Sequence, residues 1–139
     1  MGGFRVSLVV LIGLMIMYDG YSLAARPSAS TLAFVQNGLA SWYGREEQGK
    51  RTADGEIFNR HRFTAASRHL PFNTLVHVTN ENNGRTVDVR ITDRGPFVKG
   101  RILDLSEAAA DTLDMKKSGT APVKIEVVAP PSAQAPAAP

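Results

Sequence analysis

Two stretches in the middle of the chain alternate between apolar and polar residues. Over Thr74-Leu-Val-His-Val-Thr-Asn80, Val76 and Val78 share a face opposite His77 and Thr79; over Thr86-Val-Asp-Val-Arg-Ile-Thr92, Val87, Val89 and Ile91 face away from Asp88 and Arg90. A period of two sends alternate side chains to opposite sides of a strand, so each stretch predicts a strand with one buried face. Between them lies Glu81-Asn-Asn-Gly-Arg85, where Asn83-Gly84 supplies the positive φ angles of a tight hairpin turn. Leu39 to Tyr43, Arg101 to Leu105 and Val123 to Val128 predict further strands, the last with Val123, Ile125 and Val127 on one face. One helix is predicted. Ser106 is placed to cap it, Glu107 suits its positive end, Ala108-Ala109-Ala110 favours it, and Lys116 and Lys117 sit near its negative end before Gly119. Short strands with one short helix predict a mainly β protein, a small closed barrel rather than alternating strands and helices.

The 139 residues leave room for one domain of ordinary size. The first stretch, residues 1–24, reads as an export signal. Arg5 supplies its positive start, and Val6 to Met17 is an apolar run interrupted only by Ser7 and Gly13. Asp19 and Gly20 end the run, and Ser22-Leu23-Ala24-Ala25 offers small residues for cleavage after Ala24 or Ala25. The run is too short to cross a hydrocarbon core of roughly 30 Å as a helix. Cleaved, or kept as an N-terminal anchor in the competing reading, this segment places the domain outside the cytoplasm, in the periplasm or secreted. Residues 25–37 are expected as a linker, although Leu32, Phe34 and Val35 could dock. Residues 129–139 contain only Ala, Pro, Ser and Gln and predict a disordered tail, which leaves 38–128 as the folded unit.

Composition removes several chemistries. There is no cysteine, which excludes disulfides, thiolate zinc sites, thiol catalysis and lipidation on a cysteine. The 16 Lys+Arg against 13 Asp+Glu give +3, a weak preference for anionic partners. Gly44-Arg-Glu-Glu-Gln-Gly49-Lys50 begins like a phosphate-binding loop. Arg51 stands where Ser or Thr would hold magnesium, the loop's two carboxylates repel phosphate and no helix pattern follows, so that reading fails. His61, His69 and His77 are too widely spaced for a helical pair of metal ligands, and the chain has no Gly-x-Ser-x-Gly elbow. Arg45, Lys50, Arg51, Arg60, Arg62 and Arg68, with Trp42, Tyr43 and Phe58 among them, form either an aromatic and cationic groove or an ordinary solvated face. Such a groove suits sugar rings or single-stranded nucleic acid, and export argues against the latter.

The carboxylates carry more information. Glu56 closes the turn-rich Thr52-Ala-Asp-Gly-Glu56, Asp93 ends the second hairpin strand in Thr92-Asp-Arg-Gly-Pro-Phe97, and Asp104 interrupts the apolar Ile102-Leu-Asp-Leu105. A carboxyl at a strand end beside Gly-Pro can point into a cleft and act as a general acid on a glycosidic oxygen. Structural roles compete: Asp93 could pair with Arg94 or cap a turn, and Asp104 could cap the helix or pair with Arg101.

Read in order, Ala40-Ser-Trp-Tyr-Gly44, Thr52-Ala-Asp-Gly-Glu56, Phe63-Thr-Ala-Ala66, Leu70-Pro-Phe72, Val78-Thr-Asn80, Asn83-Gly-Arg85, Asp93-Arg-Gly-Pro-Phe97, Gly100-Arg-Ile102 and Asp104-Leu-Ser106 resemble the rare lipoprotein A family over nearly the whole of 38–128. The resemblance implies a six-stranded double-psi β-barrel with one or two short helices, shared with expansins. It also implies an endolytic lytic transglycosylase acting on peptidoglycan glycan strands, preferring those stripped of stem peptides. Such an enzyme breaks the bond between N-acetylmuramic acid and N-acetylglucosamine without water and leaves a 1,6-anhydro ring. It needs neither metal nor organic cofactor and is expected to work as a monomer, with no nucleic-acid partner and no membrane anchor once the signal is cut.

Carried over by position, the family's acid falls on Asp93 and its characteristic glutamate on Glu56. Expansins and related transglycosylases make Asp104 the rival acid, because their key aspartate lies in the strand matching Arg101 to Leu105. Trp42, Tyr43, Ser67 and Arg94 are expected along the sugar groove. One departure bears on chemistry: the family usually reads Thr-Ala-Ala-His, whereas Ser67 follows Ala66 here, and serine does not titrate near neutral pH. That substitution motivates the alternative of a non-catalytic, expansin-like wall-binding module. A secreted inhibitor or other protein-binding barrel is a third reading, which no surface or tail feature favours.

Overall fold

A computed structural model describes residues 34–131; the expected export segment, most of the linker and most of the tail lie outside them. Six strands, β1 (Val35–Tyr43), β2 (Thr64–Ala66), β3 (Leu75–Asn80), β4 (Thr86–Asp93), β5 (Arg101–Ser106) and β6 (Thr120–Ala129), close into a barrel in the order β1-β5-β2-β4-β3-β6. β1 with β5 and β2 with β4 run parallel; the other neighbours run antiparallel. This is the closed six-stranded double-psi barrel that the motifs imply.

The alternating stretches behave as their patterns require. Val76 and Val78 of β3, Val87, Val89 and Ile91 of β4 and Val123 and Ile125 of β6 fill the interior with Leu103 and Leu105 of β5. His77 stays outside, where its Nδ1 meets Asp88 across the hairpin at 2.6 Å. The hairpin loop is wider than an Asn-Gly turn. Only Gly84 takes a positive φ (75°), and the loop instead closes around Asn80, whose carbonyl accepts from the N–H groups of Asn83 and Gly84. The Asn80 side chain accepts from Asn82 N–H and donates to the carbonyl of Leu113, so a buried amide sets the turn.

One strand end and one whole strand lack a periodic signal. β1 begins at Val35, three residues inside the segment expected as linker, because backbone pairing with β6 rather than an apolar face holds Val35 to Leu39. β2 is three small residues buried on every side, too short to alternate. Helix α1 (Glu107–Thr112) starts as expected, with the Ser106 hydroxyl accepting from Ala109 N–H and donating to the Arg62 carbonyl. It ends at Leu113, before the two lysines, and Asp114 turns the chain with φ 52°. Lys116 folds back to Glu107 at 2.9 Å instead of serving the helix C-terminus.

Candidate functional site

Alternation along β4 would send Asp93 inward, since it has the parity of Val87, Val89 and Ile91. A bulge prevents this. Ala65 and Ala66 of β2 oppose Ile91 and Asp93, so Thr92 is the extra residue. Thr92 is taken fully into the interior, and Asp93 turns out toward a recess. A bulge beside a functional group is a common device for re-aiming a side chain.

The same register brings the second aspartate close. Ala66 lies opposite Asp93 on one side and opposite Asp104 on the other, and Asp104 in turn lies opposite Ser41 of β1. The row Ser41, Asp104, Ala66, Asp93 therefore crosses four adjacent strands on one face. Two strand spacings separate the aspartate Cα atoms by about 10 Å, and the alanine between them leaves room for their side chains to converge. Tyr43, Glu47, Ala66, Asp93, Arg94 and Asp104 line one recess of about 220 Å³.

The two aspartates are held differently. Asp93 Oδ1 accepts the backbone N–H groups of Ala53 (3.0 Å) and Arg94 (2.9 Å). No other side chain among the described residues pairs with its carboxylate. Asp104 Oδ1 takes both the Ser41 hydroxyl and the Arg101 guanidinium. The Tyr43 hydroxyl is buried without a partner among the described residues; burial first, then the charges of Asp93 and Asp104, push its pKa upward, so it remains protonated.

The remaining expected site residues divide. Arg94 borders the recess, but its guanidinium donates to the carbonyls of Ser67 (3.0 Å) and Leu70 (2.9 Å) and lies 3.8 Å over the Phe72 ring. Ser67 is 4% exposed, and its hydroxyl accepts from the N–H groups of His69 and Leu70, so it shapes a turn and faces away from solvent. Trp42 does not line the aspartate recess. It packs against the core and, together with Tyr43, borders a different recess with Glu107 and Lys116, whose ammonium is 5.7 Å from the ring.

Glu56 is also apart from the aspartate recess. Both its carboxylate oxygens meet the Arg90 guanidinium at 2.8 Å, clamping the Thr52–Glu56 turn to β4. That turn supplies the Ala53 N–H to Asp93, so Glu56 acts on the aspartate through the backbone. Glu47 was hidden by its place in the failed phosphate-loop pattern; it enters the recess from a 3-10 turn at Arg45–Glu47. Half of the six-residue basic cluster is engaged within the chain itself: Arg60 pairs with Glu107, Lys50 with Glu47, and Arg51 donates to the Gly55 carbonyl.

The clamp carries a pH signature. The hydrogen bonds from Arg90 lower the pKa of Glu56 below its ordinary value. A depressed carboxylate adds stability above its unfolded pKa and loses it as pH falls through the folded one. Glu56→Gln is thus expected to lower the thermal midpoint at pH 7, by no more than about 1 kcal/mol for so exposed a pair. The gap from wild type should close as pH falls below about 4. Thermal melts of both proteins across that range check it; a gap constant with pH would mean that the ion pair contributes nothing.

A family model described as lytic transglycolase matches residues 35–125, and the chain belongs to that family. It is 51% identical over 102 residues to the endolytic peptidoglycan transglycosylase RlpA of Campylobacter jejuni, covering 73% of this chain and 37% of that protein. It is 55% identical over 102 residues to a probable endolytic peptidoglycan transglycosylase RlpA of Nostoc, covering 72% and 28%. The chain thus spans well under half the length of these relatives. Among solved structures, the apo expansin of Clavibacter michiganensis superposes with a TM-score of 0.56 at 26% identity, covering 76% of this chain and 54% of that one.

Proposed function

We propose that this chain is an exported endolytic lytic transglycosylase that cleaves peptidoglycan between N-acetylmuramic acid and N-acetylglucosamine, with Asp93 as the acid and base. The observation that carries the reading is the aspartate recess: Asp93 is fixed by two backbone N–H groups yet has no side-chain partner among the described residues, and Asp104 lies one strand beyond Ala66. Protonated Asp93 would give its proton to the glycosidic oxygen as the bond to the muramyl C1 breaks. As carboxylate it would then take the proton of the C6 hydroxyl while that oxygen closes on C1, which completes the 1,6-anhydro ring and restores the acid. Asp104, held by Ser41 and Arg101, supplies negative charge beside the electron-poor C1. Hydrolysis would instead require a second carboxylate to activate water. The similarity to relatives named peptidoglycan transglycosylases supports the substrate class. The preference for strands without stem peptides rests on the family resemblance, and export on the pattern of residues 1–24.

One observation favours the second reading, a binding module without catalysis. Ser67 places no titratable group beside Asp93, and its hydroxyl is turned onto the backbone. Incubation of the chain with intact sacculi and with peptide-free glycan strands separates the readings. Mass spectrometry is expected to find soluble fragments with 1,6-anhydromuramyl ends, more from the peptide-free strands. Reducing ends would mean hydrolysis, and no fragments from protein that still pellets with sacculi would leave only the binding module.

A further inference from the structure

The bulge that turns Asp93 outward has to be held against the alternation of its own strand. Pairing with β2 sets its register, and two loops hold the backbone around it. Asn73 N–H donates to the Ile91 carbonyl (2.8 Å) and Ile91 N–H to the Thr74 carbonyl (3.0 Å), while Asp54 N–H donates to the carbonyl of the bulged Thr92 (3.1 Å). The Thr52–Glu56 turn then reaches one residue further, with Ala53 N–H on Asp93 Oδ1.

One side chain joins the two loops. Arg90 Nη1 donates to Glu56 Oε1 (2.8 Å) and to Asn73 Oδ1 (2.9 Å), and its Nη2 donates to Glu56 Oε2 (2.8 Å). Asp54 Oδ2, on a nearly buried side chain, lies 3.9 Å from Nη1. A guanidinium presents its donors in a rigid fork, so bonds in two directions fix both loops relative to each other and to β4. An arginine on the outer face of a strand is ordinarily solvated, yet this side chain is only 26% exposed. Asn73 points the same way. Its φ is 69°, a conformation that glycine takes at less cost, but glycine would leave Arg90 without its second partner.

We infer that Arg90, which does not line the aspartate recess, is a positioning residue for the acid: it ties the Thr52–Glu56 turn to the Asn73 loop, and so fixes the bulge and the Ala53 N–H that aim Asp93. Glu56 then serves the reaction as the anchor of this clamp and not as a second acid. That Asp93 is the acid rests on the function proposed above, but the hold on its side chain is tested without cleavage.

Two readouts on the whole chain test this. By NMR, Arg90→Ala is expected to raise hydrogen exchange at Ala53 N–H by about tenfold or more, as local opening of the turn requires. Amides of β3 and β6 should keep their protection, whereas a general loss of stability would speed them alike. On soluble peptide-free glycan strands, kcat for anhydro-end release should fall by about 10–100-fold with KM within about twofold, because the acid is misplaced while the glycan still binds. Arg90→Lys keeps the charge without the fork and should lose less in both readouts; it decides in the same way if Arg90→Ala does not fold. Adding Glu56→Ala to Arg90→Ala should cost no further rate, since both remove one clamp. Exchange at Ala53 that rises no more than in β3 and β6, or kcat kept within about twofold, would overturn the inference. So would losses that multiply in the double variant, which would give Glu56 a part of its own. Absence of anhydro ends from the native chain is a separate result. It removes the enzyme reading, and exchange at Ala53 alone then decides whether Arg90 holds Asp93 in place.

Discussion

Asp93→Asn is expected to cut the release of 1,6-anhydro ends by about 10²–10⁴-fold, the range that a positioned acid and base contributes. The variant should stay folded. An asparagine oxygen can accept the same two N–H groups, from Ala53 and Arg94, that now hold Asp93 Oδ1. What is lost is the exchangeable proton, so the rate falls while the thermal midpoint and binding to sacculi hold. Asp104→Asn should behave differently. It weakens the pairing of Asp104 with Arg101 and Ser41, which lie on β5 and β1, and so lowers the midpoint along with the rate. Initial rates of anhydro-end release, read beside melting curves for both variants, decide the assignment. A larger loss of rate from Asp104→Asn, with its midpoint unchanged, would exchange the two roles.

The assignment of these roles shows what a sequence pattern can and cannot carry. Burial along β3, β4 and β6 follows directly from alternation, because solvent on one side and core on the other impose a period of two. The placing of Asp93 does not follow, since strict alternation points it into the core. The bulge at Thr92 reverses it, and a bulge is set by pairing with β2, a strand too short and too fully buried to have a pattern of its own. Motif resemblance found Asp93, Asp104 and Glu56 as residues, but their relation is a matter of register. Ala66 between the two aspartates is the key contact, and residues 66, 93 and 104 are brought together only by barrel closure. Trp42 and Tyr43 do share a recess, but of the two only Tyr43 also borders the aspartates. Ser67 and Arg94 sit beside the site in sequence, yet their polar atoms are spent on the loop from Ser67 to Leu70.

Because register makes the site, the core residues that fix register should be the costliest to remove, and Leu105→Ala is the sharpest case. Leu105 is fully buried, follows Asp104 on β5 and lies opposite Trp42 of β1 and Ala65 of β2. Deleting its side chain removes buried apolar area and leaves a cavity between three strands that cannot readily collapse, since each is held by backbone pairing to its neighbours. The expected cost is about 2–5 kcal/mol. For a domain this small that lowers the thermal midpoint by about 10–30 °C. Urea titration should show the transition moved to lower denaturant with its slope unchanged, the mark of lost stability rather than an altered unfolded state. Leu105→Met, which keeps the volume, should cost less than about 1.5 kcal/mol and restore most of the midpoint. A fall of under about 5 °C in Leu105→Ala would mean that β5 is held by its hydrogen bonds alone. The rate, measured well below the lowered midpoint, then reads position rather than folded fraction. Loss of activity there, recovered by methionine, would show that packing beneath β5 sets where Asp104 stands relative to Asp93.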